Sequence, residues 1–249
     1  MKYAILIPTY NEASTIPELL DTLSAFRKTE EFKFDVLVID DNSPDGTAEI
    51  VQAMGYQWVR LLKRPYKDGL GNAYRAGFAE ILAQPEYDQI VTMDADGSHR
   101  VADLPAMLTS VRSGFSIVLG TRWIKGGSVV NWPRSRQLLS RSGTRYASMA
   151  LGIDLADLTG GFRIYSRELL SALNLHQMSA TGYCFQIEMA LASYLAGAST
   201  TQVPITFVER INGVSKMSRA IVIEALIQTT RWGFTRRLRP NADKLHYVK

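Results

Sequence analysis

Two carboxylates separated by one residue follow a short apolar run near the middle of the chain. Residues 90–99 read IVTMDADGSH, so Asp94 and Asp96 come directly after the apolar stretch. A buried strand that leaves a sheet in this way delivers charge to the edge of the sheet. Beyond the strand end the chain is free to turn, and both acids could converge on one hard cation such as Mg²⁺ or Mn²⁺. The same two residues could instead cap a helix or solvate a loop, because this spacing is common by chance.

Apolar runs and amphipathic stretches alternate along the first half of the chain. The runs that predict buried strands are residues 3–8, 34–40, 58–62, the stretch from Ile90, and 116–120. The stretches that predict helices are residues 15–26, 47–55, 71–83 and 103–113. Thr15 with Glu18 predicts a capping box at the first helix. Because strands alternate with helices, we predict an α/β fold with a mostly parallel sheet.

Polar side chains follow the predicted strands at the points where the strands end. They are Tyr10, Glu12, Asp40, Asp94, Asp96 and Arg122. In parallel sheets of this class, ligands bind beyond the carboxyl ends of the strands. We therefore expect these six side chains to face one crevice. Polar surface loops would explain each residue singly, but not why acids and an arginine recur at that position.

The second half of the chain has a different character. Residues 126–153 contain no acid but four arginines, Arg134, Arg136, Arg141 and Arg145, interleaved with apolar residues. This pattern predicts a basic amphipathic helix that lies on a membrane surface or binds an anionic substrate. An ordinary core helix with a solvated basic face fits this segment equally well. Residues 157–163 predict a turn that leads into a short strand, and residues 203–208 predict a further strand. A second basic amphipathic helix is predicted over 218–234, and residues 240–249 are predicted to form a loose polar tail.

The overall composition restricts the class of protein. The chain has 249 residues, of which 46% are hydrophobic, with a formal net charge of +4, which is too small to indicate a nucleic-acid binder by itself. Its single cysteine cannot form an internal disulfide, as is usual in reducing compartments. No stretch predicts a signal peptide or a membrane span, so we expect a protein on the cytoplasmic side. The absence of a Gly-x-Gly-x-x-Gly motif after the first strand argues against a Rossmann dehydrogenase.

A set of short motifs appears in a specific order. They are residues 8–12 (PTYNE), 40–47 (DDNSPDGT), 69–71 (GLG), 94–99 (DADGSH), 120–122 (GTR), 157–163 (DLTGGFR) and 207–216 (FVERINGVSK). Together they closely resemble the dolichyl- or polyprenyl-phosphate mannose synthases of glycosyltransferase family two. The resemblance covers residues 2–216 and implies a GT-A fold, a Rossmann-like sheet flanked by helices, with amphipathic interface helices in the C-terminal half. It implies one domain over 1–249, with a nucleotide-sugar half (1–122), an acceptor- and membrane-facing half (123–239) and a tail (240–249).

The resemblance also implies a set of ligands and site residues. The donor would be GDP-mannose, the acceptor a polyprenyl or dolichyl phosphate, and the cofactor Mg²⁺ or Mn²⁺. The implied guanosine pocket consists of Pro8, Tyr10, Glu12, Val38 and Asp40. Asp94 and Asp96 would bind the metal and the donor sugar, with Ala95 between them, and the phosphates would meet Arg122, Arg136, Arg210 and Lys216. Ser98 stands where some relatives have a glutamine as a further metal ligand.

The same resemblance leaves the mode of membrane attachment open. Some relatives continue into C-terminal membrane spans, and this sequence does not. We therefore expect a peripheral enzyme on the cytoplasmic face of a membrane, attached through its amphipathic helices or an integral-membrane partner protein.

The chemistry implied by these ligands needs little from the protein beyond position and charge. A phosphate acceptor is already an anion near neutral pH, so no general base is required, and displacement in one step would invert the anomeric carbon. A synthase that uses UDP-glucose or another nucleotide sugar would have the same loops. A peripheral membrane-binding module and a nucleic-acid binder are the alternatives from other classes. The intact acids argue against the first, and the acids at the predicted crevice argue against the second.

Overall fold

A computed structural model of the protein describes residues 1–29, 32–182, 184–209, 219–238, 244 and 246–249. The strands are β1 (Tyr3–Thr9), β2 (Phe34–Asp40), β3 (Val59–Lys63), β4 (Gln89–Thr92), β5 (Ile117–Thr121), β6 (Ser128–Val130), β7 (Arg163–Ser166), β8 (Thr200–Pro204) and β9 (Thr206–Val208). The helices are α1 (Ile16–Arg27), α2 (Thr47–Ala53), α3 (Leu70–Leu82), α4 (Leu104–Arg112), α5 (Arg134–Leu151), α6 (Arg167–Ala172), α7 (Cys184–Leu195) and α8 (Arg219–Leu238). The predicted alternation of strands and helices is confirmed.

Seven of the nine described strands form one large sheet, in the order β3-β2-β1-β4-β7-β5-β8, and β6 and β9 form a separate pair. All neighbours pair in parallel except β7, which runs antiparallel to both β4 and β5. The α/β class with a mostly parallel sheet is therefore confirmed. The carboxyl ends of β1, β2, β4 and β5 lie at one edge of the sheet. Because β7 is reversed, its first residue, Arg163, lies at that same edge, opposite Thr92.

Each face of the sheet is covered by helices that bury apolar side chains against it. Leu6, Ile39 and Ile90 pack with α3 and α7 on one face, whereas Ile5, Val38 and Val91 pack on the other face with residues of α1 and α4. Strands β1, β2, β4 and β5 are buried on both faces, which explains why they appear in the sequence as continuous apolar runs.

One predicted strand and one predicted cap differ from the structure. The single strand expected over 203–208 is broken at Pro204, after which the chain leaves the large sheet and β9 pairs with β6. The backbone N–H of Val208 then donates to the carbonyl of Ser98 at 3.1 Å. The predicted capping box is wrong, because the Thr15 hydroxyl donates to the Glu12 carboxylate at 2.9 Å and does not cap the helix.

The end of the chain is anchored in the core. Tyr247 is only 3% exposed, and its hydroxyl donates to the buried Glu188 carboxylate at 3.1 Å. The backbone N–H of Lys249 bonds to the carbonyl of Ala172, and Val248 pairs with Leu173. The prediction of a loose tail over 240–249 is therefore wrong for the described residues 246–249. The error arose because the partners of Tyr247 are distant in sequence.

Helices α5 and α8 lie against each other and expose an apolar surface. Tyr146 of α5 hydrogen-bonds Thr230 of α8, and Ala225 and Trp232 turn toward the core. The large apolar side chains that remain exposed on the two helices, called here the apolar surface, are Leu138, Leu139, Met149, Ile223, Leu226, Ile227, Phe234 and Leu238. Across the described ranges, no helix is both long enough and apolar enough to cross a membrane.

Candidate active site

The two carboxylates after β4 are held by the residues that follow them. Gly97 turns the chain with a φ of +75°, which favours glycine. The turn lets the backbone N–H of Ser98 donate to Asp96 Oδ1 at 3.0 Å, and the Ser98 hydroxyl donates to the same oxygen. The backbone N–H of Asp94 donates to Nδ1 of His99 at 3.0 Å. The segment 94–99 is therefore a compact turn that fixes both acids at the carboxyl edge of the sheet.

His99 holds Asp94 in place. Its ring is buried, stacks on Phe162 with centroids 4.9 Å apart, and meets the edge of Phe207 at 5.5 Å. Because Nδ1 accepts a hydrogen bond, a neutral ring carries its proton on Nε2, which lies 3.8 Å from Asp94 Oδ2. The histidine thus faces both the backbone and the carboxylate of Asp94. Sequence reasoning found no need for a histidine as a base, and it missed this positioning role.

The donor set at this edge fits a divalent cation that shares its ligands with a substrate. Asp94 and Asp96 are half-buried, and hard cations such as Mg²⁺ and Mn²⁺ take carboxylate oxygens, waters and substrate phosphates. Among the described residues, no group of three or more His, Cys, Asp or Glu side chains could hold a metal by itself. Ser98 is buried and its hydroxyl donates to Asp96, so in this structure it supports a carboxylate.

Buried polar atoms near Asp94 lack partners within the part of the chain that the structure describes. They are the hydroxyl of Tyr74 and Oε1 of Gln186. A Cβ at Gly161 would lie 3.4 Å from Nε2 of Gln186 and 3.5 Å from Oδ1 of Asp94, so these groups crowd together. Burial, and then the charge of Asp94, hold the pKa of Tyr74 well above its usual value, which keeps the phenol protonated. An unpaired buried polar group costs about 1–3 kcal/mol, which a bound hydroxyl-rich molecule could recover.

Arg122 is fixed by a buried carboxylate. Its Nε lies 2.6 Å from Oδ2 of Asp157, and its Nη2 lies 2.8 Å from both Oδ1 of Asp157 and the hydroxyl of Thr159. Burial alone would raise the pKa of Asp157, but the charge and hydrogen bonds of Arg122, with backbone N–H donors, hold it below its ordinary value. No described residue accepts from Nη1 of Arg122. The guanidinium is thus rigid on one side and has further donors on the other.

Asp157 is a second residue that sequence reasoning missed. The sequence of residues 157–163 predicts a turn into a short strand and matches a family motif, but it indicates no role for Asp157 in the site. In the structure Asp157 also accepts the backbone N–H of Thr159 at 3.2 Å and of Gly160 at 3.1 Å. An Asp followed two positions later by Thr and then by two glycines is typical of such a turn, and this was the available signal. The turn brings Gly161 to Asp94 and Asp157 to Arg122, so it links the two charged parts of the site.

The residues implied to bind the nucleoside follow β1 and β2. Lys67 lies over the ring of Tyr10, with its Nζ 3.9 Å from the ring centroid. The Glu12 carboxylate accepts from Thr15, while its backbone N–H donates to the Thr47 hydroxyl at 3.0 Å. These contacts place Tyr10 and Glu12 at the same edge of the sheet as the carboxylates.

The remaining residues of the implied pocket differ in burial. Asp40 is buried and accepts from the hydroxyl of Thr9 at 2.9 Å and from the backbone N–H of Ser43 at 2.9 Å. Pro8 is half-buried at the end of β1. Val38 lies within β2, two positions before the strand ends, and its side chain packs in the core. The structure therefore brings Asp40 and Pro8 to the edge, and gives Val38 a packing role.

The cations implied for the phosphates are only partly described. Arg136 forms an ion pair with Glu209, and its guanidinium carbon lies 4.0 Å from the ring centroid of Trp132. Arg210 and Lys216 lie outside the described residues. The chain enters that segment close to the site, because Phe207 pairs with His99 and the backbone N–H of Glu209 bonds to the carbonyl of Val130.

Comparison with known proteins places this geometry in a family. The sequence profile described as "Glycosyl transferase family 2" matches residues 4–173. The chain is 43% identical over 239 residues to an undecaprenyl-phosphate mannosyltransferase of Micrococcus luteus, covering 95% of this chain and 96% of that protein. It is 38% identical over 237 residues to a polyprenol monophosphomannose synthase of Mycolicibacterium smegmatis, covering 94% and 88% of the two chains.

Solved structures resemble the fold at low sequence identity. Glucosyl-3-phosphoglycerate synthase of Mycobacterium tuberculosis, in complex with phosphoglyceric acid, matches with a TM-score of 0.69 and 21% identity, over 92% of this chain and 80% of that one. The same enzyme with Mn²⁺, UDP and glucosyl-3-phosphoglycerate matches with a TM-score of 0.65 and 19% identity, over 95% and 78%. These likenesses confirm the GT-A-type fold. The profile and the relatives together show that this chain is a glycosyltransferase and belongs to glycosyl transferase family 2.

Proposed function

We propose that the protein transfers mannose from GDP-mannose to a polyprenyl or dolichyl monophosphate, with inversion, to give polyprenyl-phosphate β-mannose and GDP. The observation that carries the proposal is that one chain combines two features. They are the edge of the sheet that carries Asp94 and Asp96, called here the carboxylate edge, and the exposed apolar surface. The proposal is supported by two relatives, an undecaprenyl-phosphate mannosyltransferase and a polyprenol monophosphomannose synthase, which are 43% and 38% identical to this chain. A lipid-linked phosphate acceptor needs such a combination. Its phosphate must reach the site at the carboxylate edge, while its isoprenoid chain must remain in apolar surroundings.

The reaction needs positioning and charge neutralisation more than proton transfer. An acceptor phosphate oxygen would attack the anomeric carbon, and the bond from that carbon to the diphosphate would break, so that GDP leaves as an anion. Because the acceptor is already ionised near neutral pH, no side chain has to remove a proton. Attack opposite the leaving group would convert an α-linked donor into a β-linked product.

We assign the parts of this scheme to particular residues of the chain. Asp94 and Asp96 would hold Mg²⁺ or Mn²⁺, which would supply positive charge to the departing diphosphate. His99 and Asp157 would orient Asp94 and Arg122, respectively. Among the cations, we assign Arg122 and Arg136 to the phosphates, and Arg210 and Lys216 to the same role on the motif alone. Pro8, Tyr10, Glu12 and Asp40 are assigned to the guanosine and Ala95 to the donor, whereas Val38, which the resemblance also implies, is buried in the core and would support the pocket from behind.

Transfer of label into lipid tests the proposal. The protein would be incubated with radiolabelled GDP-mannose, UDP-glucose or another UDP-sugar, together with polyprenyl phosphate and Mg²⁺ or Mn²⁺. We expect label in the organic phase with GDP-mannose and not with the UDP-sugars, and a β-anomeric product by NMR. If label were transferred only from a UDP-sugar, the donor would be that UDP-sugar and not GDP-mannose. An α-anomeric product would exclude single-step inversion. No lipid-linked label from any donor would contradict the proposed function.

The apolar surface is proposed to lie on a membrane. Leu138 and Phe234 are 68% and 66% exposed, and single large apolar patches on a soluble chain usually mark an interaction site. Arginines on the same helices, including Arg145 and Arg231, are exposed as well. Apolar burial in the interface and attraction to anionic headgroups would act together. A membrane with anionic headgroups therefore matches both the apolar side chains and the exposed arginines of these two helices.

We expect the protein to co-sediment with anionic vesicles more strongly than with neutral ones. Each arginine near an anionic surface contributes about 1 kcal/mol, so the Arg145→Glu/Arg231→Glu double variant should bind anionic vesicles at least about tenfold more weakly. Raising the salt concentration should weaken the binding of the wild type to anionic vesicles until it approaches that of the variant. Sedimentation would measure both effects.

The apolar contribution to vesicle binding is tested separately. Phe234→Ser should weaken binding to neutral and anionic vesicles alike, and this loss should not depend on salt. Tyr66→Ser, at an exposed aromatic residue outside both helices, is the matched control. Equal binding to both vesicle types, unchanged by salt or charge reversal, would exclude the electrostatic part. Absence of vesicle binding would instead favour recruitment by an integral-membrane partner protein.

A further inference from the structure

Glu188 of α7 is a fully buried carboxylate that the proposed chemistry does not use. Its Oε1 accepts the backbone N–H of Ser179 at 3.0 Å and the hydroxyl of Tyr247 at 3.1 Å, and its Oε2 accepts the backbone N–H of Ala180 at 2.9 Å. The hydroxyl of Ser179 also lies 3.3 Å from Oε1. Burying a carboxylate is costly unless such donors surround it, so Glu188 ties together two segments that are far apart in sequence.

The segment that supplies the backbone donors, called here the 178–181 loop, is also held by α3. Nη1 of Arg75 donates to the carbonyl of Met178 at 3.0 Å and to the carbonyl of Ala180 at 3.2 Å. Glu188 therefore binds N–H groups of the loop, and Arg75 binds its carbonyls. Because both kinds of backbone group are bonded to charged side chains, the position of the loop is closely determined.

The 178–181 loop packs against the start of α3, called here the glycine turn (residues 69–71). The backbone N–H of Gly71 donates to the carbonyl of Thr181 at 2.8 Å. A Cβ at Gly69 would lie 2.5 Å from the carbonyl oxygen of Thr181, and a Cβ at Gly71 would lie 2.5 Å from the preceding carbonyl oxygen of the loop. These distances are too short for a side chain, so glycine is needed for this close approach. The position of the loop therefore determines the position of the glycine turn.

The residues just before the glycine turn lie at the implied nucleoside pocket. Lys67 lies over the ring of Tyr10, which directly follows β1. Asp68 forms an ion pair with Arg64, whose Nη1 lies 2.6 Å from Oδ1 of the buried Asp41, the residue after β2. A shift of the glycine turn would therefore change how Lys67 and Asp68 meet the carboxyl ends of two strands.

Residues 246–249 hold the tyrosine hydroxyl beside the carboxylate. The backbone carbonyl of Tyr247 accepts the N–H of Asn174 at 2.8 Å, and the N–H of Lys249 donates to the carbonyl of Ala172 at 2.9 Å. These bonds fix the buried phenol, whose hydroxyl donates to the same carboxylate oxygen as the first N–H of the 178–181 loop. Hydrogen bonds thus run without a gap from residues 246–249, through the carboxylate and the loop, to the glycine turn.

We propose that Glu188 and Tyr247 are positioning residues for the sugar nucleotide, and that they act through the 178–181 loop and the glycine turn. Loosening the loop would move Lys67 relative to Tyr10 and weaken nucleotide binding, while the acceptor side of the site would keep its geometry. This inference rests on the proposed function for the identity of the nucleotide as GDP, but the positioning role can be tested by binding without turnover.

Tyr247→Phe removes one hydroxyl and keeps the ring. We expect the variant to raise the Kd for GDP with Mn²⁺ about threefold by calorimetry. The KM for the sugar nucleotide should rise by the same factor, with less than about twofold change in kcat and in the acceptor KM.

Tyr87→Phe is the matched control for a loss of stability alone. Tyr87 is as buried as Tyr247, and its hydroxyl donates to a carboxylate oxygen of Asp35 at 2.9 Å, near the amino ends of β2 and β4. The urea midpoint should fall by similar amounts in the two variants, whereas the affinity for GDP should fall only in Tyr247→Phe. Equal affinities for GDP in the two variants would overturn the inference.

Two further variants displace the 178–181 loop from opposite ends of the proposed path. Glu188→Gln keeps the shape of the side chain but replaces one acceptor by an amide donor, which would face a backbone N–H of the loop. Gly71→Ala places a Cβ against a loop carbonyl. We expect each variant to raise the Kd for GDP with Mn²⁺ about tenfold. Gly143→Ala is the control for the second, because a Cβ there would meet no described atom within 4 Å, and unchanged GDP affinity in Gly71→Ala would overturn the inference.

Parallel titrations with GDP and UDP separate failure of this inference from failure of the proposed function. If the wild type binds UDP and not GDP, the proposed donor is wrong, and the same comparison of the two tyrosine variants with UDP decides the inference. If mannose is transferred from GDP-mannose while Tyr247→Phe and Tyr87→Phe bind GDP equally well, the proposed function stands and the inference fails. A wild type that binds neither nucleotide would contradict both.

Discussion

Asp96→Ala is expected to lower turnover by at least about 10³-fold, which corresponds to roughly 4 kcal/mol of transition-state stabilisation. The carboxylate lies at the carboxyl edge of the sheet, one residue from Asp94, and both would hold the divalent cation at the departing diphosphate. Its half-buried position means that the fold should survive the change. Steady-state transfer assays with titrated Mn²⁺, together with a urea unfolding curve, would measure both effects.

The metal itself provides the second readout for this variant. Wild-type protein with GDP should bind Mn²⁺ detectably by electron paramagnetic resonance, should lose activity in EDTA, and should regain it when Mn²⁺ is added back. Asp96→Ala should show weak Mn²⁺ binding, whereas Asp154→Ala, at an exposed acid outside the site, should behave as the wild type. Wild-type turnover in EDTA would contradict a metal-dependent mechanism at Asp94 and Asp96.

The carboxylate edge could be predicted because it depends on local patterns. Apolar runs such as residues 34–40 correspond to buried strands, and parallel strands bring their carboxyl ends to one edge by topology alone. The positions of Asp40, Asp94 and Arg122 at this edge could therefore be predicted from where the strands end. The amphipathic character of α5 could be predicted for the same reason, because the spacing of its apolar residues lies within one continuous segment.

The missed features depend on contacts between distant segments. The role of His99 needs Phe162 and Phe207, and the burial of Tyr247 needs Glu188, which is 59 positions away. Thr15 has good capping chemistry, but the Glu12 carboxylate lies within its reach and is the partner observed. The strand β7 is only four residues long, and nothing in its sequence shows that it enters between β4 and β5 in the opposite direction.

Breaking the buried pair between Arg122 and Asp157 is expected to cost more stability than any surface change. In Asp157→Asn the side chain keeps its shape and its acceptor for the backbone N–H groups of Thr159 and Gly160, but the guanidinium loses its counter-charge. An unpaired charge at a buried site costs about 3–5 kcal/mol, and the urea midpoint should fall accordingly. Asp154→Asn, an exposed amide substitution three residues earlier, should change stability by less than about 0.5 kcal/mol.

The pH dependence of this loss has a definite sign. The pKa of Asp157 is lowered in the folded protein, so its contribution to stability is fully present above the unfolded value of about 3.9 and is lost as the pH falls through the folded value. The difference in unfolding free energy between wild type and Asp157→Asn should therefore be largest near neutral pH and should shrink below about pH 4. A difference that grows on acidification would contradict the ion pair as its source.

A double variant separates the charge from the packing. Arg122→Leu and Asp157→Leu each leave one buried charge without a partner, whereas the double variant removes both charges together. The double variant should therefore be more stable than the sum of the single losses predicts, with a coupling of about 0.5–3 kcal/mol. It should still lack transferase activity, because the remaining donors of Arg122 are lost. A stable, inactive double variant would show that Asp157 serves to hold a cation in the site, and that the cation is there for the substrate phosphates.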